Sequence, residues 1–193
     1  NDEPDGTFTG RVDVEHVVAV GHSAGGGTVL AAAADDRVDG YVSLASGALG
    51  AGGSPLPDVP SFFMAGSADA VVPPEEATRP AFEAAPSPSL LWIIDGVGHN
   101  GFDDFCTFGN GTGIIGVAEA SGLGPLLEAQ PQLRTLGEDG CVPPAVPVDT
   151  TFPMIRHGVT AWIRAVVGAD PAGVGIGPEM ADSFTRPVEI TEK

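Results

Sequence analysis

Short apolar runs alternate with glycine-, proline- and acid-rich stretches along this chain. Four of these runs have the length and composition of buried strands: His16–Val20, Val38–Ala45, Ser61–Gly66 and Ser89–Asp95. The alanine-rich segment Ala24–Ala34 and the segment Glu75–Ala85 lie between them and are predicted to be helices. Strands that alternate with helices predict an α/β fold with a mostly parallel, doubly wound sheet.

The alternation lapses after the fourth strand. Residues 102–147 are rich in Gly and Pro, and we expect an insertion at about 106–147 that interrupts the regular alternation of strands and helices. Apolar residues at helical spacing between Thr150 and Val167 predict a last helix that packs on the sheet. Residues 1–15 are expected to form an exposed loop, and residues 169–193 an irregular tail. We interpret residues 1–193 as a single domain.

Composition narrows the function classes. The 193 residues are 42% hydrophobic and carry a net charge of −18, and Lys193 is the only lysine. Such a surface repels phosphate backbones, so nucleic-acid binding is disfavoured. A P-loop needs a lysine in its glycine-rich turn, and no apolar run has the length of a membrane span. The acidity suits a salty or extracellular setting, so we expect a secreted protein.

The clearest chemical motif follows the first strand. Gly21-His22-Ser23-Ala24-Gly25 has the form Gly-x-Ser-x-Gly, between an apolar run and an alanine-rich run. That order of strand, tight turn and helix is the context of a nucleophile elbow, which holds a serine hydroxyl clear of the sheet. The glycines at both ends lack the Cβ atoms that would obstruct so sharp a turn.

Two further residues occupy equivalent positions after later strands. Asp69 follows the third strand and His99 follows the fourth. The carboxyl ends of parallel strands meet at one edge of a sheet, where functional groups collect. A nucleophilic serine needs an imidazole to take its proton and a carboxylate to orient that imidazole. We therefore predict a catalytic triad of Ser23, His99 and Asp69.

These segments resemble the α/β-hydrolase superfamily over roughly residues 11–168. The resemblance rests on the elbow, on Ser67-Ala68-Asp69-Ala70-Val71-Val72-Pro73 and on Gly96-Val97-Gly98-His99. The spacing is similar to the branch of platelet-activating-factor-acetylhydrolase-like esterases, dienelactone hydrolases and bacterial polyester hydrolases. The resemblance implies an α/β-hydrolase fold, cleavage of carboxylic esters without a cofactor, and an oxyanion hole that includes the amide of Ala24.

The chain departs from that family at its start. The family places several strands before the elbow strand, and a loop among them gives a second oxyanion donor. Here the elbow strand comes first, so the sheet would have one uncovered edge. We expect an N-terminal segment of the same precursor, either cleaved off or present as a separate chain, to complete the sheet. The polar stretch NDEPDGTFTG is the kind of exposed loop where a protease can cut a folded protein without unfolding it. Dimerisation across that edge is the alternative.

Two other departures bear on the substrate. Polyester hydrolases carry an aromatic clamp after the second of these strands, whereas this chain has Ala45-Ser46-Gly47-Ala48. Dienelactone hydrolases use a cysteine nucleophile, whereas this chain has Ser23. We therefore favour ordinary esterase or lipase activity over polyester (cutinase-like) hydrolysis. A peptidase or acyltransferase on the same fold, or a non-catalytic relative that acts as a binding module, stays an alternative.

Several other residues compete for chemical roles. Asp95 is a second candidate for the acid, and His22 is expected to support the elbow. His157 is expected to be solvated, and His16 has no evident partner. Gly111–Gly116 matches a dinucleotide fingerprint, with Glu138 beyond it, but no strand precedes it, so we favour a glycine-rich loop. Asp35-Asp36 and Asp103-Asp104 lack the spacing of a calcium loop, so we expect no metal.

Cys106 and Cys141 are the only cysteines and bracket the insertion. Neither has metal-ligand partners at suitable spacing, and the acidic composition suits an oxidising compartment. We therefore expect a disulfide rather than two buried thiols.

Overall fold

The computed structural model describes residues 6–47, 55–171 and 173–193. Five strands form one sheet in the order β1-β2-β3-β4-β5, and β1 to β4 run parallel. The α/β class and the mostly parallel sheet are therefore confirmed. The strands are β1 (Val18–His22), β2 (Gly40–Leu44), β3 (Ser61–Gly66), β4 (Ser89–Ile94) and β5 (Val188–Glu192).

The interior strands β2, β3 and β4 are buried along their whole length. Successive side chains point to opposite faces, so Phe62 and Met64 belong to one core and Phe63 and Ala65 to the other. Strands buried on both faces have continuous apolar sequences, which is why these runs could be recognised.

Helices cover both faces. On one side lie α1 (Ala24–Ala32) and α2 (Thr78–Ala84), and on the other lies α7 (Phe152–Val166). A glycine at position 158 lets α7 approach the sheet, because a Cβ there would lie 2.7 Å from the Trp92 ring. No helix among the described residues has the length and apolar character needed to cross a bilayer.

The composition of residues 169–193 suggested an irregular tail, but part of this tail has regular structure. A 3₁₀ turn spans Pro178–Ser183, and β5 then pairs antiparallel with β4. Val188 and Ile190 pack on the α7 side of the sheet, while Glu189 points away. Arg79 of α2 donates to both carboxylate oxygens of Glu189, at 2.8 and 3.0 Å, and lowers the pKa of Glu189. In β5, only two apolar residues alternate with polar ones, and a pattern this short does not identify a strand from the sequence.

The insertion is also more regular than expected. It contains α3 (Phe108–Gly111), α4 (Gly113–Ala120), α5 (Gly124–Ala129) and α6 (Pro131–Glu138). Glycine disfavours helices, which is why the composition predicted loops. Tertiary contacts outweigh that preference: Ile115 and Leu127 are buried, and Cys106 is bonded to Cys141. The predicted disulfide is confirmed.

Strand β1 differs from the interior strands. Among the described residues it pairs only with β2, and Val17 and Val20 are 38% and 43% exposed. Residues 7–16, which precede it, are exposed as expected, and residues 1–5 of the predicted loop lie outside the described residues.

Candidate active site

The elbow forms where β1 turns into α1. Ser23 adopts φ 55° and ψ −120°, a conformation that costs a non-glycine residue free energy. Its backbone N–H donates to the Leu44 carbonyl of β2 at 2.9 Å, which fixes the turn to the sheet. A Cβ on Gly21 would lie 2.2 Å from the Gly25 carbonyl oxygen. The motif's first glycine is therefore required by the close crossing of strand and helix.

Asp69 lies in the loop after β3 and is 4% exposed. Its Oδ1 accepts hydrogen bonds from the backbone N–H groups of Val71 and Val72, at 2.9 and 2.7 Å. Two amide donors leave Oδ2 free to face another partner. A Cβ on Gly66, the last residue of β3, would lie 2.0 Å from the Val97 carbonyl oxygen, so the loops after β3 and β4 touch here.

His99 begins a 3₁₀ turn, His99–Phe102, after β4 and is 1% exposed. Its Nδ1 lies 2.9 Å from Asp69 Oδ2, and its Nε2 lies 2.8 Å from Ser23 Oγ. A carboxylate beside Nδ1 favours the tautomer with the proton on Nδ1, which leaves Nε2 as an acceptor for the serine hydroxyl. The structure therefore brings the three predicted residues into one continuous hydrogen-bonded chain.

Ala24 is the first residue of α1, directly after Ser23. The first amides of a helix have no intrahelical acceptor, and the helix dipole favours negative charge beside them. The amide of Ala24 is therefore suited to an oxyanion that develops next to Ser23.

His22 contacts both His99 and the insertion. Its Nε2 lies 3.0 Å from the His99 carbonyl oxygen, and its Nδ1 lies 3.2 Å from Asp103 Oδ2. Its ring also packs against His99 and Phe102. His22, the variable residue of the elbow, thus lies against the predicted base. It also contacts the carboxylate of Asp103, which was considered above only as a possible metal ligand.

The competing residues lie elsewhere. Asp95 contacts Ser67 and Arg186 rather than His99. His157 is not simply solvated, because its Nε2 lies 2.6 Å from the Gly175 carbonyl oxygen.

His16 does have a partner, contrary to the sequence analysis. Its Nδ1 lies 2.8 Å from Asp13 Oδ2, and this hydrogen bond raises the pKa of His16. Within the described ranges, no group of three or more His, Cys, Asp or Glu side chains could hold a metal ion.

The glycine-rich segment Gly111–Gly116 spans the end of α3 and the start of α4, which corrects its prediction as a loop. A 3₁₀ turn, Phe105–Thr107, precedes α3, whereas a dinucleotide site needs a preceding strand. Glu138 is paired with Arg134 at 2.7 Å.

One residue near the site gave no signal in the sequence. Asp139, at the end of α6, accepts a hydrogen bond from the backbone N–H of His99. The two residues are 40 positions apart, so no local pattern links them. Only the neighbouring Cys141 marks this turn as anchored, through its disulfide with Cys106.

No model of a known protein family matches the chain, and no curated protein matches it either.

Proposed function

We propose that this protein is a serine hydrolase of the α/β-hydrolase fold that cleaves carboxylic esters. The single observation that carries the proposal is the continuous hydrogen-bonded chain Ser23–His99–Asp69, built from three different strand ends. Serine nucleophile catalysis requires a hydroxyl, an imidazole and a carboxylate that are hydrogen-bonded to one another in this way.

The reaction proceeds through an acyl-enzyme. Ser23 Oγ attacks the ester carbonyl carbon while its proton passes to His99 Nε2, and Asp69 stabilises the imidazolium through Nδ1–H. The amide of Ala24 stabilises the oxyanion. The bond to the leaving alcohol then breaks as His99 returns the proton to the alcohol oxygen. Water repeats the sequence: His99 takes its proton, its oxygen bonds to the acyl carbon, and Ser23 leaves reprotonated.

The surroundings favour a simple ester over a polyester. Ala45, Ser46 and Gly47 follow β2 where an aromatic clamp would be expected, and Ala48 lies outside the described residues. Cleavage of an amide substrate would indicate the peptidase alternative, and transfer of the acyl group to an alcohol would indicate the acyltransferase. A binding module would have no activated serine.

The flank of β1 supports a further part of the proposal. Val17 and Val20 are exposed, and among the described residues β1 pairs only with β2, so this edge of the sheet could accept another strand. We propose that another segment of polypeptide pairs with this edge and contributes a second oxyanion donor. The Cys106–Cys141 disulfide and the acidic surface support an extracellular location.

The test is labelling with a fluorophosphonate probe, followed by turnover of a p-nitrophenyl ester. We expect wild-type protein to be labelled on Ser23, and Ser23→Ala to lose both labelling and at least about 10³-fold of the turnover. Ser121→Ala, in an exposed turn after α4, is the matched control and should retain both. Turnover by Ser23→Ala at more than a few per cent of the wild-type rate would refute the triad.

A further inference from the structure

The turn Asp139-Gly140-Cys141 lies against both loops that hold the proposed acid and base. It joins α6 to the disulfide, so its position is fixed from two sides. A single side chain in this turn, that of Asp139, reaches both loops.

The Asp139 carboxylate bridges the two loops directly. Its Oδ1 accepts from the backbone N–H of His99 at 2.5 Å, and its Oδ2 accepts from the backbone N–H of Ala70 at 2.9 Å. Ala70 is the residue after Asp69. The main chain at the acid and the main chain at the base are therefore held by the same carboxylate.

The backbone of the turn adds a second set of contacts. The Asp139 carbonyl accepts from both the backbone N–H and the side-chain Nδ2 of Asn100, each at 2.9 Å. Asn100 is 2% exposed and also donates from Nδ2 to the Leu136 carbonyl. The two peptide groups on either side of the His99 Cα, which carry the N–H groups of His99 and Asn100, are thus both hydrogen-bonded to Asp139.

The contact leaves no room for side chains. A Cβ on Gly98 would lie 2.5 Å from Asp139 Oδ1, and a Cβ on Gly140 would lie 2.9 Å from the Asn100 nitrogen. Gly140 also adopts φ +88°, which disfavours any other residue. Main chain packs on main chain here, so small shifts of the turn are transmitted to the His99 loop.

We propose that Asp139 is a positioning residue for the triad: it sets the spacing between the Asp69 loop and the His99 loop. This inference rests on the proposed esterase function. Two amide donors, one on each oxygen, require a group with two acceptors. Asparagine has the same shape, but its N–H₂ group would face the N–H of either His99 or Ala70. One hydrogen bond would then be lost, and two donors would point at each other.

A purely structural role makes a different prediction. If Asp139 only fastened the insertion to the sheet, its loss would lower stability and leave the turnover of the folded protein unchanged. A positioning role requires that kcat falls in protein that is still folded, with KM little changed, because both carboxylate oxygens of Asp139 are bonded to loop amides rather than directed to a substrate.

The experiment compares Asp139→Asn with Glu138→Gln in otherwise intact protein. Glu138 is the adjacent residue, loses the same charge, and bonds to Arg134 within the insertion rather than to the triad loops. We expect Asp139→Asn to lower kcat and the rate of fluorophosphonate labelling by roughly 10- to 100-fold. Glu138→Gln should stay within about twofold of wild type in both measurements.

Amide hydrogen exchange gives a readout that does not depend on activity. The N–H groups of Ala70 and His99 should exchange faster in Asp139→Asn than in Glu138→Gln, while amides of β3 and β4 keep their protection. If Asp139→Asn does not fold, Asp139→Ser leaves space for water between the two amides and is judged by the same criteria.

The outcomes separate the two proposals. If wild-type protein is not labelled, the proposed function fails whatever Asp139 does. If wild type is labelled and folded Asp139→Asn is labelled at the same rate, the positioning role is wrong and the proposed function stands. Equal losses in Asp139→Asn and Glu138→Gln would likewise overturn the positioning role, because the effect would then belong to the charge of the insertion.

Discussion

The two halves of the candidate site are held in different ways. Ser23 follows β1, which among the described residues pairs on one side only and has Val20 43% exposed. Asp69 and His99 follow β3 and β4, which are buried along their length between other strands. One half of the site therefore lies at an edge of the sheet, and the other lies in its interior.

The difference shows in what fixes each residue. The acid and the base are held by their own hydrogen bond, by the amides of Val71 and Val72, and by the carboxylate of Asp139. Ser23 is held by a strained turn, by one N–H bond to β2 and by the hydrogen bond between its Oγ and His99 Nε2. The interior pair is positioned by many contacts, whereas the nucleophile depends on the geometry of a few peptide units.

Among the variants that test this difference, the largest effects on turnover are expected from Gly66→Ala and Gly21→Ala, which place a Cβ 2.0 and 2.2 Å from a carbonyl oxygen. Both should reduce ester turnover by about 100-fold or more, since each moves a triad residue. Their stabilities should differ. Gly66 lies in the middle of the sheet, so its clash should cost about 3 kcal/mol or more. Strand β1 pairs on one side only among the described residues, so it can shift and lose about 1–2 kcal/mol.

Chemical denaturation measures the difference, and Gly27→Ala is the matched control. A Cβ on Gly27, in α1, meets no atom within 4 Å, so this change should be neutral or stabilise by up to about 1 kcal/mol. If Gly66→Ala and Gly21→Ala lost equal amounts of stability, β1 would be as constrained as β3. The proposed difference between the two halves of the site would then be wrong.

The same contrast explains what the sequence could predict. Buried parallel strands have continuous apolar sequences, so β3 was predicted at its observed bounds, Ser61–Gly66, and the residues at the strand ends could be named. Helices α4 and α6 both contain glycine, and their formation depends on contacts with distant segments. The link from Asp139 to His99 is of that kind, as is the pairing of β5 with β4.

An intermediate effect is expected from removing the disulfide, with Cys106→Ser and Cys141→Ser together. Loss of a link that closes a separation of 35 residues should lower stability by up to about 4 kcal/mol in the chain-entropy model. Cys141 is two residues from Asp139, so kcat should also fall, by roughly tenfold or less.

A double-mutant cycle shows whether that loss of turnover passes through Asp139. In the Asp139→Asn background, removal of the disulfide should lower kcat little further, because the contact that it supports is already broken. Fully additive losses would separate the disulfide from the interior half of the site, and would restrict its role to stability.

The smallest effect is expected from a pair of neighbouring valines. Val20 in β1 is in register with Val42 in β2, and the two are 43% and 0% exposed. Val42→Ala removes buried methyl groups and should cost about 2 kcal/mol or more. In the chain by itself, without the segment proposed to pair with β1, Val20→Ala should cost about 1 kcal/mol or less, mostly from strand preference. Thermal unfolding of both variants, at several protein concentrations, measures these losses of stability.

A loss of stability at Val20 equal to that at Val42 would mean that β1 is covered in solution even in the chain by itself. If that loss depended on concentration, a second copy would be the cover, and if it did not, another segment of polypeptide would be.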